Sequence, residues 1–127
     1  MQPCRKHILC VDNDTDILEM LTILLSKRAD YEVVTARNLA AAVPLARSGR
    51  FDLYLLESRL PDGAGLDLCR RLREFDSQTP ILFYVATISF TRQQVSEAGG
   101  QGYVRKLDGI EALQQSISGL LHEVAVG

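Results

Sequence analysis

The chain has 127 residues and a mass of 14.1 kDa, enough for one domain that buries roughly two-thirds of its unfolded surface without a disulfide or metal staple. Hydrophobic residues make up 46% and charged residues 24%, proportions that exclude disorder, collagen and coiled coil. With 14 Lys+Arg against 16 Asp+Glu, the balance speaks against direct nucleic-acid contact, which favours basic chains.

Short apolar runs alternate with helical periods along the chain. His7-Ile8-Leu9-Cys10-Val11 ends at Asp12 and reads as a buried strand. Ile17, Leu18, Leu21, Leu24 and Leu25 then share one face of a helix, with Asp14 or Thr15 as its N-cap. The run from Tyr31 to Ala36 is the second strand. Asn38 caps a helix through Arg47 that Gly49 stops, and Pro44 is expected to kink or shorten it. The third strand runs from Asp52 to Glu57, and Pro61-Asp62-Gly63 forms a turn. Leu68, Leu72 and Phe75 share a helical face, with Cys69 beside them. Pro80 opens the fourth strand, Ile81 to Ala86, and a short helix follows around Gln93 to Ala98. The fifth strand is Tyr103-Val104-Arg105. Ile110, Leu113, Ile117 and Leu121 mark the last helix. The order βαβαβαβαβα predicts an α/β fold: a five-stranded parallel sheet with helices on both faces, in a single domain over 1–127 with its core at about 7–122.

Cys4, Cys10 and Cys69 make no CxxC pair, and His7 and His122 lie at opposite ends, so a zinc site is not supported. Cys10 and Cys69 read as reduced core residues. The start Met1-Gln2-Pro3-Cys4-Arg5-Lys6 lacks the apolar segment of a signal peptide, and no apolar run approaches the roughly 18 residues of a membrane helix. A cytoplasmic location without membrane contact is the expectation.

In such sheets function collects outside the carboxyl ends of the strands. That singles out Asp12-Asn13-Asp14, Glu57-Ser58-Arg59, Val85-Ala86-Thr87 and Lys106. An acid after the first strand, an acid after the third and a lysine after the fifth closely resemble the receiver domain of bacterial two-component response regulators. The resemblance runs from Ile8 to about Leu121, with its most distinctive stretch at Asp52–Gly63. It implies a flavodoxin-like (βα)5 fold and a signalling role rather than an enzymatic one. It also implies adjacent acids that hold Mg²⁺, an aspartate that accepts phosphate from a histidine kinase, and a Thr/Ser and a Lys on the phosphoryl oxygens. An aromatic on the fifth strand changes rotamer with phosphorylation.

The sequence departs from that pattern at the chemistry. The acidic pocket reads Asp12, Asn13, Asp14, with an amide at the second position. The phosphoacceptor position is Glu57, the Thr/Ser position falls on Val85, and the residue after Lys106 is Leu107 where the family has proline. Tyr103 fits the switch aromatic, either as a packed core ring or as a half-exposed switch. A hard cation prefers carboxylate oxygens, so the expected cofactor is none, or Mg²⁺ held weakly by Asp12, Glu57 and the backbone carbonyl of Arg59. The extra methylene of Glu57 displaces a nucleophile and brings its carboxylate within reach of Lys106. The leading expectation is an atypical receiver that acts by protein–protein interaction. Its partner, a histidine kinase or a downstream effector, would use the last two helices and the fifth strand, and a homodimer is a further option. Two alternatives remain open: a conventional phosphoacceptor, and a small flavodoxin-like enzyme or ligand binder. Asp14 reads as a cap more than a ligand, and Arg70, Arg71 and Arg73 as a solvated helix face. Gly63-Ala64-Gly65 is too short a signal for a phosphate loop.

Overall fold

The computed structural model describes residues 5–28 and 31–122. Cys4 and the start of the chain lie outside the described residues. Five parallel strands form the sheet: β1 (Lys6–Val11), β2 (Tyr31–Ala36), β3 (Leu53–Leu56), β6 (Ile81–Val85) and β7 (Gly102–Arg105). A two-stranded antiparallel ribbon, β4 (Arg59–Leu60) with β5 (Gly63–Ala64), lies between β3 and the helix after it. The sheet order is β2-β1-β3-β6-β7. The order reverses between β1 and β3, which makes their carboxyl ends the topological switch point.

The helices are α1 (Thr15–Arg28), α2 (Leu39–Ser48), α3 (Gly65–Arg73), α4 (Arg92–Ala98) and α5 (Ile110–His122). Strand alternation divides the core in two. Leu9, Val11, Tyr54, Leu56, Ile81, Phe83 and Val85 pack under α2, α3 and α4. Ile8, Cys10, Leu53, Leu55, Leu82, Tyr84 and Val104 face α1 and α5, which contribute Leu18, Leu21, Leu25, Leu113, Ile117 and Leu121. Every residue of β3 and β6 is buried, as a sheet covered on both faces requires.

Some boundaries differ from expectation. Asp52 and Glu57 fall outside β3 but continue its backbone bonding, through the Asp52 amide to the His7 carbonyl at 2.7 Å and the Glu57 amide to the Val11 carbonyl at 3.0 Å. Pro44 does not cut α2 short. The helix runs on to Ser48, and the amide that Pro44 lacks falls on a solvent-exposed position. Phe75 lies beyond the end of α3 yet still packs against the core. Arg73 is not solvated: its guanidinium donates to the Gly99 carbonyl at 3.0 Å and the Asp76 carbonyl at 2.9 Å, tying α3 to the end of α4. Burial pushes the Cys10 thiol up to about 12 and the Cys69 thiol up to about 11, so both are poor thiolates. Among the described residues no helix is long and apolar enough to cross a membrane.

Candidate functional site

The alternation that builds the core also assembles the site. Asp12, Glu57 and Lys106 each follow, two residues on, a residue that faces α1 and α5: Cys10, Leu55 and Val104. Period-two geometry carries all three toward the same side of the sheet. Lys106 Nζ donates to Asp12 Oδ2 at 2.7 Å and to Glu57 Oε2 at 2.8 Å. All three side chains are sequestered, at 16% exposure for Lys106, 6% for Asp12 and 8% for Glu57.

Both oxygens of Glu57 are saturated. Oε1 accepts from the Ser58 amide at 2.5 Å and the Ser58 hydroxyl at 2.9 Å, while Oε2 takes Lys106 and the Ala86 amide at 3.2 Å. Asp12 Oδ1 accepts the Asp14 amide at 2.9 Å. Burial is the largest influence on Asp12 and raises its carboxyl, more than the Lys106 and Asp14 bonds lower it. Burial lowers Lys106, but its bonds to Asp12 and Glu57 outweigh that and hold the ammonium above its ordinary value. Desolvation thus sets the direction for Asp12, and the two carboxylates set it for Lys106.

The other candidates lie outside this cluster. Asp14 is exposed, and its Oδ1 caps α1 by accepting from the Asp16 amide at 3.0 Å and the Ile17 amide at 3.3 Å. The acidic pocket thus shrinks to Asp12, since Asn13 is also exposed and makes no side-chain hydrogen bond among the described residues. Val85 is fully buried in the apolar cluster under α2, α3 and α4. Tyr103 is half-buried against that cluster. Phe90 meets its ring edge-on at 5.7 Å, and the Arg92 guanidinium stands 5.0 Å from its centroid. Phe90 in turn packs edge-on against Phe83 at 5.1 Å.

The residues present do not fit a tightly held divalent cation. The ammonium of Lys106 already lies within hydrogen-bond distance of both carboxylates that would be ligands. Among the described residues no group of three or more His, Cys, Asp or Glu side chains could hold a metal. The arrangement neutralises charge internally instead.

Sequence reasoning missed Ser58 and the Ala86 amide as partners of Glu57. The positions were singled out as strand ends, but a backbone donor carries no residue signature. It also missed Asp62, whose two oxygens accept the Leu39 amide at 2.8 Å and the Ala40 amide at 3.0 Å, clamping the start of α2.

The model of the response regulator receiver domain matches residues 8–118. The chain belongs to this family. The response regulator protein PilR of Pseudomonas aeruginosa is 38% identical over 103 residues, covering 80% of this chain and 23% of that protein. The DNA-binding response regulator MtrA of Mycolicibacterium smegmatis is 36% identical over 107 residues, covering 84% of this chain and 46% of that protein. The chain thus spans 23% and 46% of the length of these two curated relatives. Among solved structures, the chemotaxis protein CheY4 of Vibrio cholerae superposes with a TM-score of 0.86 at 26% identity, covering 93% of this chain and 100% of that one. The response regulator TrrA of Thermotoga maritima, solved in complex with Mg²⁺-BeF, gives 0.82 at 30% identity, covering 91% and 99%. The receiver is a signalling module of two-component systems rather than a conventional enzyme, and its fold is the one expected from the order of its elements.

Proposed function

We propose that this receiver has left the conventional phosphotransfer cycle and works as a constitutive protein-interaction module. The observation that carries the reading is Lys106 bridging Asp12 and Glu57, with the Glu57 carboxylate fully bonded. A phosphoacceptor needs a free carboxylate oxygen and a cation ready to meet incoming charge. Here the nucleophile position and the lysine neutralise each other, and the second acid is Asn13. The carboxylate of Glu57 stands in the space a phosphoryl group would use and takes its donors.

Loss of the relay points the same way. Val85 has no hydroxyl to pull toward a phosphoryl group, and Tyr103 is held by Phe90 and Arg92. A ligand shifts a two-state equilibrium only by its differential affinity, and these groups offer phosphate little differential. The partner surface is then permanently available. Its candidate is the face built by α4, β7 and α5, where a cleft of about 310 Å³ is lined by Arg92, Gln101, Tyr103 and Gln115. The partner is a protein, a kinase or an effector, with a second copy as the alternative occupant; direct nucleic-acid contact and membrane binding form no part of the reading, and the location is cytoplasmic.

The test is incubation of the whole chain with acetyl phosphate and Mg²⁺ followed by intact mass measurement. The expected spectrum shows no phosphoryl adduct. A stoichiometric adduct on Glu57 would restore the conventional reading.

A further inference from the structure

At the end of the sheet opposite the carboxylates, a cleft of about 530 Å³ opens where β1 and β3 begin. Arg5, Lys6 and Arg50 line it together with Val34, Gly49 and Phe51, and Asp52 is the one acid in the lining. None of the three cations has an ion pair or side-chain hydrogen bond among the described residues. The nearby acids are engaged: Glu32 meets His7 Nε2 at 2.6 Å, and Asp52 Oδ2 accepts the His7 amide at 2.7 Å. On a chain of net charge -2, three cations without ion pairs against the one lining acid, Asp52, still leave a local positive excess that favours an anion. The wall is shaped as well. A Cβ at Gly49 would come within 2.8 Å of Phe51 Cε2, so the missing side chain lets the ring stand close against the backbone.

We propose that this cleft binds a phosphate-bearing small molecule, with Arg5, Lys6 and Arg50 on the phosphate oxygens and the Phe51–Val34 wall against the remainder of the ligand. The volume lies in the range of small-molecule sites. Arginine forks match the oxygen geometry of phosphate, and a multiply charged anion answers several cations at once. The two strands that open the cleft carry Asp12 and Glu57 at their other ends, so a ligand here contacts the same strands that hold the charged cluster.

Amide NMR of the whole chain tests the proposal, with ATP and inorganic phosphate titrated separately, without Mg²⁺, at about 0.15 M salt. Saturable shifts are expected at Lys6, His7, Arg50 and Phe51. Tighter binding of ATP than of inorganic phosphate supports the proposal, and equal affinity would overturn the role given to the Phe51–Val34 wall. Arg50→Glu, at an exposed position, is expected to weaken binding by about tenfold or more. Gly49→Ala keeps every charge but moves the Phe51 ring, and is expected to weaken ATP more than phosphate. Absence of saturable shifts at these amides, or unchanged affinity in Arg50→Glu, would overturn the proposal.

Discussion

Glu57 and Lys106 show how one methylene changes what a site can do. The longer carboxylate reaches the lysine at 2.8 Å and still accepts from Ser58 and Ala86. A sequestered pair of this kind loses much of its Coulomb gain to desolvation, yet removing one partner leaves a buried charge exposed to that cost. Lys106→Ala is therefore expected to destabilise the fold by about 3 kcal/mol in urea denaturation. Combining it with Glu57→Gln should recover part of that loss, because one orphaned charge disappears; additive effects in the double-mutant cycle would count against the contact. Asn13 gives the companion prediction. Calorimetric titration should find weak Mg²⁺ binding by the native chain and tighter binding by Asn13→Asp, which adds a carboxylate beside Asp12. Equal affinities would refute the charge argument. At this scale the sequence was informative about the charged trio, because strand alternation and strand ends are visible in residue types. It was silent on the Ser58 and Ala86 amides, which any residue could supply.

The elements that carry these residues hold them through contacts with less visible signatures. Gly65, at the start of α3, looks like half of a weak phosphate-loop pattern. Its structural role is close approach: a Cβ there would overlap the Glu57 carbonyl oxygen. Gly65→Ala is expected to cost about 1–3 kcal/mol by forcing the backbone under Glu57 to move, and a variant of native stability would contradict this packing. Asp76, after α3, binds the loop to β3 by accepting the Tyr54 hydroxyl at 2.8 Å and the Thr79 amide at 3.0 Å. Burial works to raise Asp76, but bonds from Thr79, Tyr54 and Gln78 outweigh it and bring the carboxyl from 3.8 down to about 2. Because the folded value is depressed, this stability is present above the unfolded value and is lost as pH falls through the folded one. Asp76→Asn should lower stability at neutral pH by about 1 kcal/mol, discounted for its half-buried setting, and flatten the acid decline between the two values. An unchanged pH profile would remove Asp76 from that decline. Helix and strand positions followed from periodicity, whereas the course of α2 through Pro44 and the Asp62 clamp on its start depend on tertiary partners and were not readable.

For the whole molecule, the parallel sheet with helices on both faces followed from the alternation of strand and helix with right-handed crossovers, whereas the order β2-β1-β3-β6-β7, which puts Asp12 and Glu57 at the switch point, is not fixed by that alternation. What the family's switch needs beyond that topology is a free acceptor, a relay hydroxyl and a mobile aromatic. Glu57 is saturated, Val85 is apolar, and Tyr103 packs against Phe90 and Arg92. The domain is therefore expected to occupy one signalling state. Beryllofluoride with Mg²⁺, the phosphoryl mimic for this family, tests it most directly through the amide NMR spectrum of the whole chain. No shifts are expected to spread from Glu57 to Tyr103, α4 and α5. Large saturable shifts along that path would contradict it.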